Sequence, residues 1–77
     1  MKLTEKSMEV LDFVRAHDGS ALVPDIAAGV GRTERSVNAN INDLVKKGLA
    51  TRVKEEGAEK ATCVLTEEGT SFVPSEE

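Results

Sequence analysis

The stretch RTERSVNANINDL, residues 32–44, carries two periodicities that predict different structures. From Ser36 to Asn42 polar and apolar residues alternate, which is the pattern of a half-buried strand. Three asparagines within five residues disfavour a strand, because asparagine is depleted there. A longer window shows helical steps of four, three and one between its apolar residues, which are Val37, Ile41, Leu44 and Val45. The alternation fails after Asn42, so we predict a helix.

Signals for a helix start and a helix end bound this segment. Thr33 is a suitable N-cap, and the Lys-Lys-Gly run at 46–48 is typical of a C-terminus. The predicted helix therefore covers residues 33–47. Its inward face carries Val37, Ile41 and Leu44. A second face carries residues spaced by three and four, which are Arg35, Asn38, Ala39, Asn42 and Lys46, and Asn40 lies between the two faces.

The N-terminal part of the chain predicts two more helices separated by a brief strand. Residues 3–17 have an apolar stripe at helical spacing, and Thr4 can cap them. Residues 24–30 begin with a proline, which the first turn of a helix tolerates, and Gly31 can end them. The segment 21–24 between these helices allows only a short strand.

The C-terminal part predicts a β-hairpin and a last helical turn. Residues 49–54 and 60–66 are the two arms of the hairpin, joined by a turn that contains a glycine. Thr66 can cap a final helical turn that runs through Phe72, and Pro74 ends it.

All these elements are expected to fold as one domain, residues 1–73, with a frayed tail at 74–77. At 77 residues the chain can build one small hydrophobic core. The predicted core residues are Val10, Leu11, Val14, Ile26, Val37, Ile41, Leu44, Leu49 and Leu65.

Composition disfavours several classes of protein. The single cysteine, Cys63, allows no internal disulfide, and Cys63 with His17 cannot supply the four ligands of a structural zinc site. Cys63 is instead predicted to be a small buried residue. We see no phosphate loop or catalytic spacing, and expect no enzyme activity, cofactor or metal. No apolar run approaches the ~18 residues of a membrane span, and the N-terminus does not resemble a secretion signal, so a cytoplasmic location is expected.

Charge is distributed unevenly along the chain, whose formal net charge is −4. Residues 32–54 hold six basic and two acidic side chains, whereas residues 1–31 and 55–77 are both acidic overall. The basic block contains the predicted helix 33–47 and the first hairpin arm. Because local charge matters more than the sum, this block makes nucleic acid a candidate partner.

The order of elements resembles a winged helix-turn-helix, an α+β fold with three helices, a short β-strand and a β-hairpin wing. Residues that match its helix-turn-helix pattern are Ile26, Ala27, Val30, Gly31 and Val37. The runs LVKKGLATR and VLTEEG resemble the MarR-type transcriptional regulators, in which Leu-x-x-x-Gly-Leu leads into the wing and Leu-Thr-x-x-Gly closes it. The resemblance covers residues 20–69. Arg32 and Asn40 stand where that family usually has apolar residues.

The resemblance implies sequence-preferring binding to double-stranded DNA, and transcriptional regulation, with helix 33–47 in the major groove and hairpin 49–66 as the wing. Asparagine suits bidentate pairing with adenine, and arginine suits guanine. The predicted base-reading residues are Arg35, Ser36, Asn38 and Asn42. Other side chains are predicted to hold phosphates, which position a protein without specifying sequence. These are Arg32, Thr33, Lys46, Arg52, Lys54 and Lys60.

Two alternatives concern partners. The acidic wing turn and C-terminus would repel phosphate, so a winged helix that binds a protein partner is a second hypothesis. MarR-type regulators dimerise through long flanking helices, which have no counterpart in this sequence. We therefore expect at most a weak homodimer in solution, or pairing of two copies on adjacent DNA half-sites about 10 base pairs or a multiple apart.

Overall fold

The computed structural model describes residues 3–72, which form helices and a small sheet in the predicted order. The helices are α1 (Glu5–Ala16), α2 (Val23–Val30), α3 (Glu34–Lys46) and the short α4 (Glu67–Ser71), and the strands are β1 (Ser20–Leu22), β2 (Ala50–Val53) and β3 (Thr62–Leu65). The predicted α+β winged-helix architecture is confirmed. The predicted stop at Pro74, the domain limit at 73 and the tail at 74–77 lie outside the described residues.

Three predicted threonine caps hold the helix starts. The Oγ1 of Thr4 accepts a hydrogen bond from the Ser7 amide at 3.2 Å, and that of Thr33 accepts one from the Ser36 amide at 3.2 Å. Thr66 caps α4 in the same way, through the Gly69 amide at 3.1 Å. Each side chain satisfies an amide that has no partner within its own helix.

The turn between α2 and α3 depends on Gly31. This residue has a left-handed conformation with φ 70°, and its amide donates to the Ala27 carbonyl. Glycine adopts that conformation without the steric cost that a Cβ atom brings. The short connection from Gly31 to Thr33 consequently sets the angle at which α3 leaves α2.

The start of α2 differs from prediction by one residue. Helical structure begins at Val23, so Pro24 occupies the second position of the helix, and β1 ends at Leu22. The brief strand was predicted at residues 21–24, so its predicted end lies two residues beyond the observed end at Leu22. The reason is that Val23 is helical and buried against the core, so it cannot continue the strand.

Strand β3 is the centre of an antiparallel sheet with the order β1-β3-β2. Cys63 is opposite Ala21 on one side and Arg52 on the other. Directly opposed residues project from the same face of a sheet. Because Cys63 and Ala21 are buried against the helices, the Arg52 side chain starts on that same face, at the β2 edge.

The core lies between the three long helices and the inner face of the sheet. All nine residues predicted for it are buried, and Ala21, Val23, Ala27, Ala50 and Cys63 join them. One close approach was missed by the sequence analysis. A Cβ atom on Gly29 would overlap the Phe13 ring, so the glycine lets α1 and α2 approach closely at this point. Among residues 3–72, no helix combines the length and apolar character that crossing a bilayer requires.

The buried thiol gives the stability of the domain a pH dependence. Burial raises the pKa of the Cys63 thiol from 9.0 to about 11, although the nearby Arg52 charge partly opposes this. The thiol therefore ionises at lower pH in the unfolded chain than in the folded one. The free energy of unfolding consequently falls as pH rises from about 9 towards 11. We expect the parent to lose about 2 kcal/mol more than a Cys63→Ala variant between pH 8 and pH 11 in urea unfolding. Equal losses in the two proteins would show that the folded protein does not hold the thiol neutral.

Candidate nucleic-acid interface

One face of α3 is exposed along its whole length. Arg35, Ser36, Asn42 and Lys46 are exposed and Asn38 is half-buried, whereas Val37, Ile41 and Leu44 on the opposite face are fully buried. From the first to the last of the predicted base-reading residues the helix rises about 10 Å, the length of about three base-pair steps. The helical periodicity predicted from sequence therefore holds for both faces. We define the outer face of α3 as the exposed side chains of Arg35, Ser36, Asn42 and Lys46 together with the half-buried side chain of Asn38.

Strand β2 contributes an arginine to this outer face. The Arg52 Nη1 donates to the Oδ1 of Asn42 at 2.7 Å. Its Nη2 lies 3.2 Å from the carbonyl of Asn38 and 3.3 Å from the Oδ1 of the same residue. One guanidinium thus bonds both asparagines of the outer face, an arrangement that the sequence analysis did not predict. The predicted phosphate contact of Arg52 remains a prediction.

The hairpin carries two of the predicted phosphate-binding lysines. Lys60 lies near the start of α3, and Lys54 directly follows β2. Lys60 Nζ lies 3.0 Å from Glu34 Oε1 in the first turn of α3, and both side chains are about half exposed. Surface ion pairs of this kind contribute little, so a phosphate could replace the carboxylate at small cost. Lys54 is exposed and has no hydrogen-bond or ion-pair partner among residues 3–72.

Arg32 points away from the outer face of α3, towards α1. Its Nη1 donates to Asn40 Oδ1 at 2.6 Å, its Nη2 donates to the Lys6 carbonyl at 3.0 Å, and Glu9 Oε2 lies 4.0 Å away. Only 16% of its side chain is exposed. These contacts disfavour the phosphate role predicted for Arg32, which remains a prediction.

The same contacts explain why Arg32 and Asn40 are polar at positions where MarR-type regulators usually have apolar residues. Arg32 and Asn40 are partners of one another, and Asn40 Nδ2 also donates to Ser7 Oγ on α1 at 3.4 Å. Ser7 is buried and donates to Asp43 Oδ2 at 3.2 Å, which in turn accepts from Lys47. This polar network holds the back of α3 on α1. Asn40, the middle asparagine of residues 32–44, therefore has a structural role.

Acidic side chains occupy the tip of the hairpin. Glu55, Glu56 and Glu59 are all exposed there, and Glu67 and Glu68 are exposed in the first turn of α4. In the described part of the chain, no group of three His, Cys, Asp or Glu side chains is placed to hold a metal ion.

Solved structures with the same arrangement of elements belong to transcription regulators. MepR, a transcription regulator of the Staphylococcus aureus multidrug efflux pump MepA, superposes with a TM-score of 0.77 at 25% sequence identity. The match covers 88% of this chain and 50% of the MepR chain. A probable transcriptional regulator from Pseudomonas aeruginosa has a TM-score of 0.75 at 16% identity, covering 88% of this chain and 52% of its own.

The chain has the winged-helix fold of the MarR-type transcription regulators. A third structure, reduced AbfR bound to DNA, has a TM-score of 0.79 at 14% identity and covers 88% of this chain and 48% of AbfR. A complex of S. aureus MepR with DNA is similar at 25% identity. This winged helix spans about half the length of these structures. No model of a known protein family and no curated protein matches the sequence.

Proposed function

We propose that this winged helix binds double-stranded DNA with sequence preference and regulates transcription. In this proposal α3 enters the major groove and the β2–β3 hairpin is the wing. The observation that carries it is the outer face of α3. Side chains that can form hydrogen bonds with base edges lie next to one another on this face of the helix. The DNA complexes of MepR and AbfR, whose folds are similar, support the same conclusion.

The proposed base contacts come from four residues of α3. Arg35 can donate to guanine O6 and N7, and Ser36 can donate or accept at either purine. Asn38 and Asn42 lie one turn apart, about 6 Å along the helix axis, so in this orientation they face base pairs about two steps apart.

The proposed phosphate contacts surround that face. Lys46, Lys54 and Lys60 are exposed cations at the end of α3 and on the wing. The Thr33 hydroxyl accepts its capping bond and can still donate its own hydrogen to a phosphate oxygen. The proposed phosphate contact of Arg32 has less support than the others, because its guanidinium would have to leave Asn40 and Lys6 to reach DNA.

Salt dependence tests the proposal. If about four phosphates are neutralised, the logarithm of affinity should fall against the logarithm of salt concentration with a slope near −3.6. The measurement is fluorescence anisotropy of a labelled duplex between about 50 and 200 mM salt. Lys46→Ala should reduce the slope by about 0.9. Absence of salt-dependent binding would contradict DNA as the partner.

The acidic hairpin tip favours the second hypothesis, a basic protein partner. Glu55, Glu56 and Glu59 are exposed together and would repel a DNA backbone that came close to them. Under this hypothesis the Lys46→Ala variant behaves like the parent towards DNA, and replacing the three glutamates by glutamine weakens binding to the protein partner. Under the DNA hypothesis the same glutamine replacements strengthen binding to every duplex.

A further inference from the structure

We propose that Arg52 is a positioning residue that orients the Asn38 and Asn42 amides and thereby determines which bases they accept. This inference rests on the proposed function, because it assigns a specificity to the same outer face of α3. It differs from the phosphate contact predicted for Arg52, which would affect all DNA sequences alike.

The orientation of the two amides follows from hydrogen-bond chemistry. A guanidinium only donates, so it must face the oxygen of an asparagine amide and not its nitrogen. Arg52 contacts Oδ1 of Asn42 at 2.7 Å and Oδ1 of Asn38 at 3.3 Å. Both Nδ2 groups are consequently turned away from β2. The assignment of oxygen and nitrogen, which is often ambiguous for asparagine, is determined here by the arginine.

This orientation changes the expected base preference. Bidentate pairing of asparagine with adenine uses Oδ1 as acceptor and Nδ2 as donor on one base edge. With a cation already on Oδ1, each amide presents mainly its Nδ2 donor. Donors match the acceptors at guanine O6 and N7 and at thymine O4. We therefore expect the base pairs facing Asn38 and Asn42 to favour acceptor-rich edges over adenine.

The sheet register explains how one side chain reaches both asparagines. Arg52 is opposite Cys63, so its side chain leaves β2 on the face that packs on the helices. Asn38 and Asn42 lie one turn apart on α3 and meet the two nitrogens of the same planar fork. The guanidinium also bonds the Asn38 main-chain carbonyl at 3.2 Å, which ties it to the helix itself. Exclusion of water from a protein–DNA interface would strengthen all three bonds.

The test compares Arg52→Lys and Arg52→Ala with the parent on a duplex selected from a random library and on its single-base-pair variants. Lysine keeps the charge and loses the planar fork. We expect both variants to lose discrimination by roughly fivefold or more, at the base pairs that Asn38→Ala and Asn42→Ala identify. Adenine should become acceptable there. Lys54→Ala is the matched control, because it removes a wing charge without touching an asparagine. It should weaken all sequences alike and keep the base preference.

A second readout does not depend on DNA. In nitrogen-15 NMR of the free protein, the side-chain amide signals of Asn38 and Asn42 should move in Arg52→Lys. The Asn40 signal, which belongs to an amide held by Arg32, should stay in place. Unchanged Asn38 and Asn42 signals would overturn the proposed orientation.

The DNA measurements separate failure of this inference from failure of the proposed function. If Arg52→Lys binds with the parent's base preference, or if Arg52→Ala weakens all sequences equally, Arg52 is a phosphate contact and the inference is wrong while DNA binding stands. If the parent binds no duplex, the proposed function fails, and the role of Arg52 in base preference fails with it.

Discussion

Replacement of Leu44 by alanine is expected to lower the free energy of unfolding by about 2–5 kcal/mol. The Leu44 side chain is fully buried in the core, and its loss leaves a cavity that the surrounding structure fills only in part. A domain of this size has a total stability of roughly 4–12 kcal/mol, so the substitution should remove a large share of it and lower the urea midpoint of unfolding.

The next residue along the helix provides the control. Val45 is 39% exposed, and alanine has a higher helix propensity than valine, so Val45→Ala should change stability by less than about 0.5 kcal/mol. Urea unfolding followed by far-UV circular dichroism measures both variants, because the chain has no tryptophan or tyrosine for fluorescence. Equal effects of the two substitutions would mean that α3 does not bury the face described for it.

Asn38→Ala and Asn42→Ala are each expected to remove about 1–3 kcal/mol of discrimination at one base pair of a preferred duplex. Neither residue carries charge, so non-specific affinity and its salt slope should remain those of the parent. The measurement is the affinity for the preferred duplex and for its single-base-pair variants at one salt concentration. Loss of Asn42 also removes the shortest of the Arg52 hydrogen bonds, so this variant should show the larger change.

Asn40→Ala is the matched control for these two variants. Asn40 lies on the same helix but bonds Arg32 and Ser7, behind the outer face. Its replacement should lower stability by about 1 kcal/mol, because Arg32 and Ser7 lose a partner, and should leave base discrimination unchanged. If all three alanine variants bind every sequence like the parent, the outer face of α3 is a solvated surface, and a protein partner becomes the better hypothesis.

Local sequence signals were enough to predict the helices, the hairpin, the caps and the core of this winged helix. Thr4, Thr33 and Thr66 are caps in the structure, and Gly31 makes the turn that was predicted for it. These features depend on local hydrogen bonds and on periodicity within a single helix or strand, so nearby residues suffice to predict them. The exposed face of α3 follows from the same periodicity, because the opposite face must be buried.

The contacts of the polar side chains near α3 could not be predicted in this way, because they depend on how the elements pack on one another. Arg32 and Asn40 had no explanation in the sequence pattern and prove to bond each other. Asn40 also donates to Ser7 on α1, 33 residues away along the chain. The bonds from Arg52 to Asn38 and Asn42 were not predicted from the sequence, and the predicted phosphate contact of Arg52 stays a prediction. These partners depend on the angle between helices and on which face of β2 each residue occupies. Periodicity predicts that a side chain is exposed or buried, but the packing of one element on another determines which group lies within 3 Å of it.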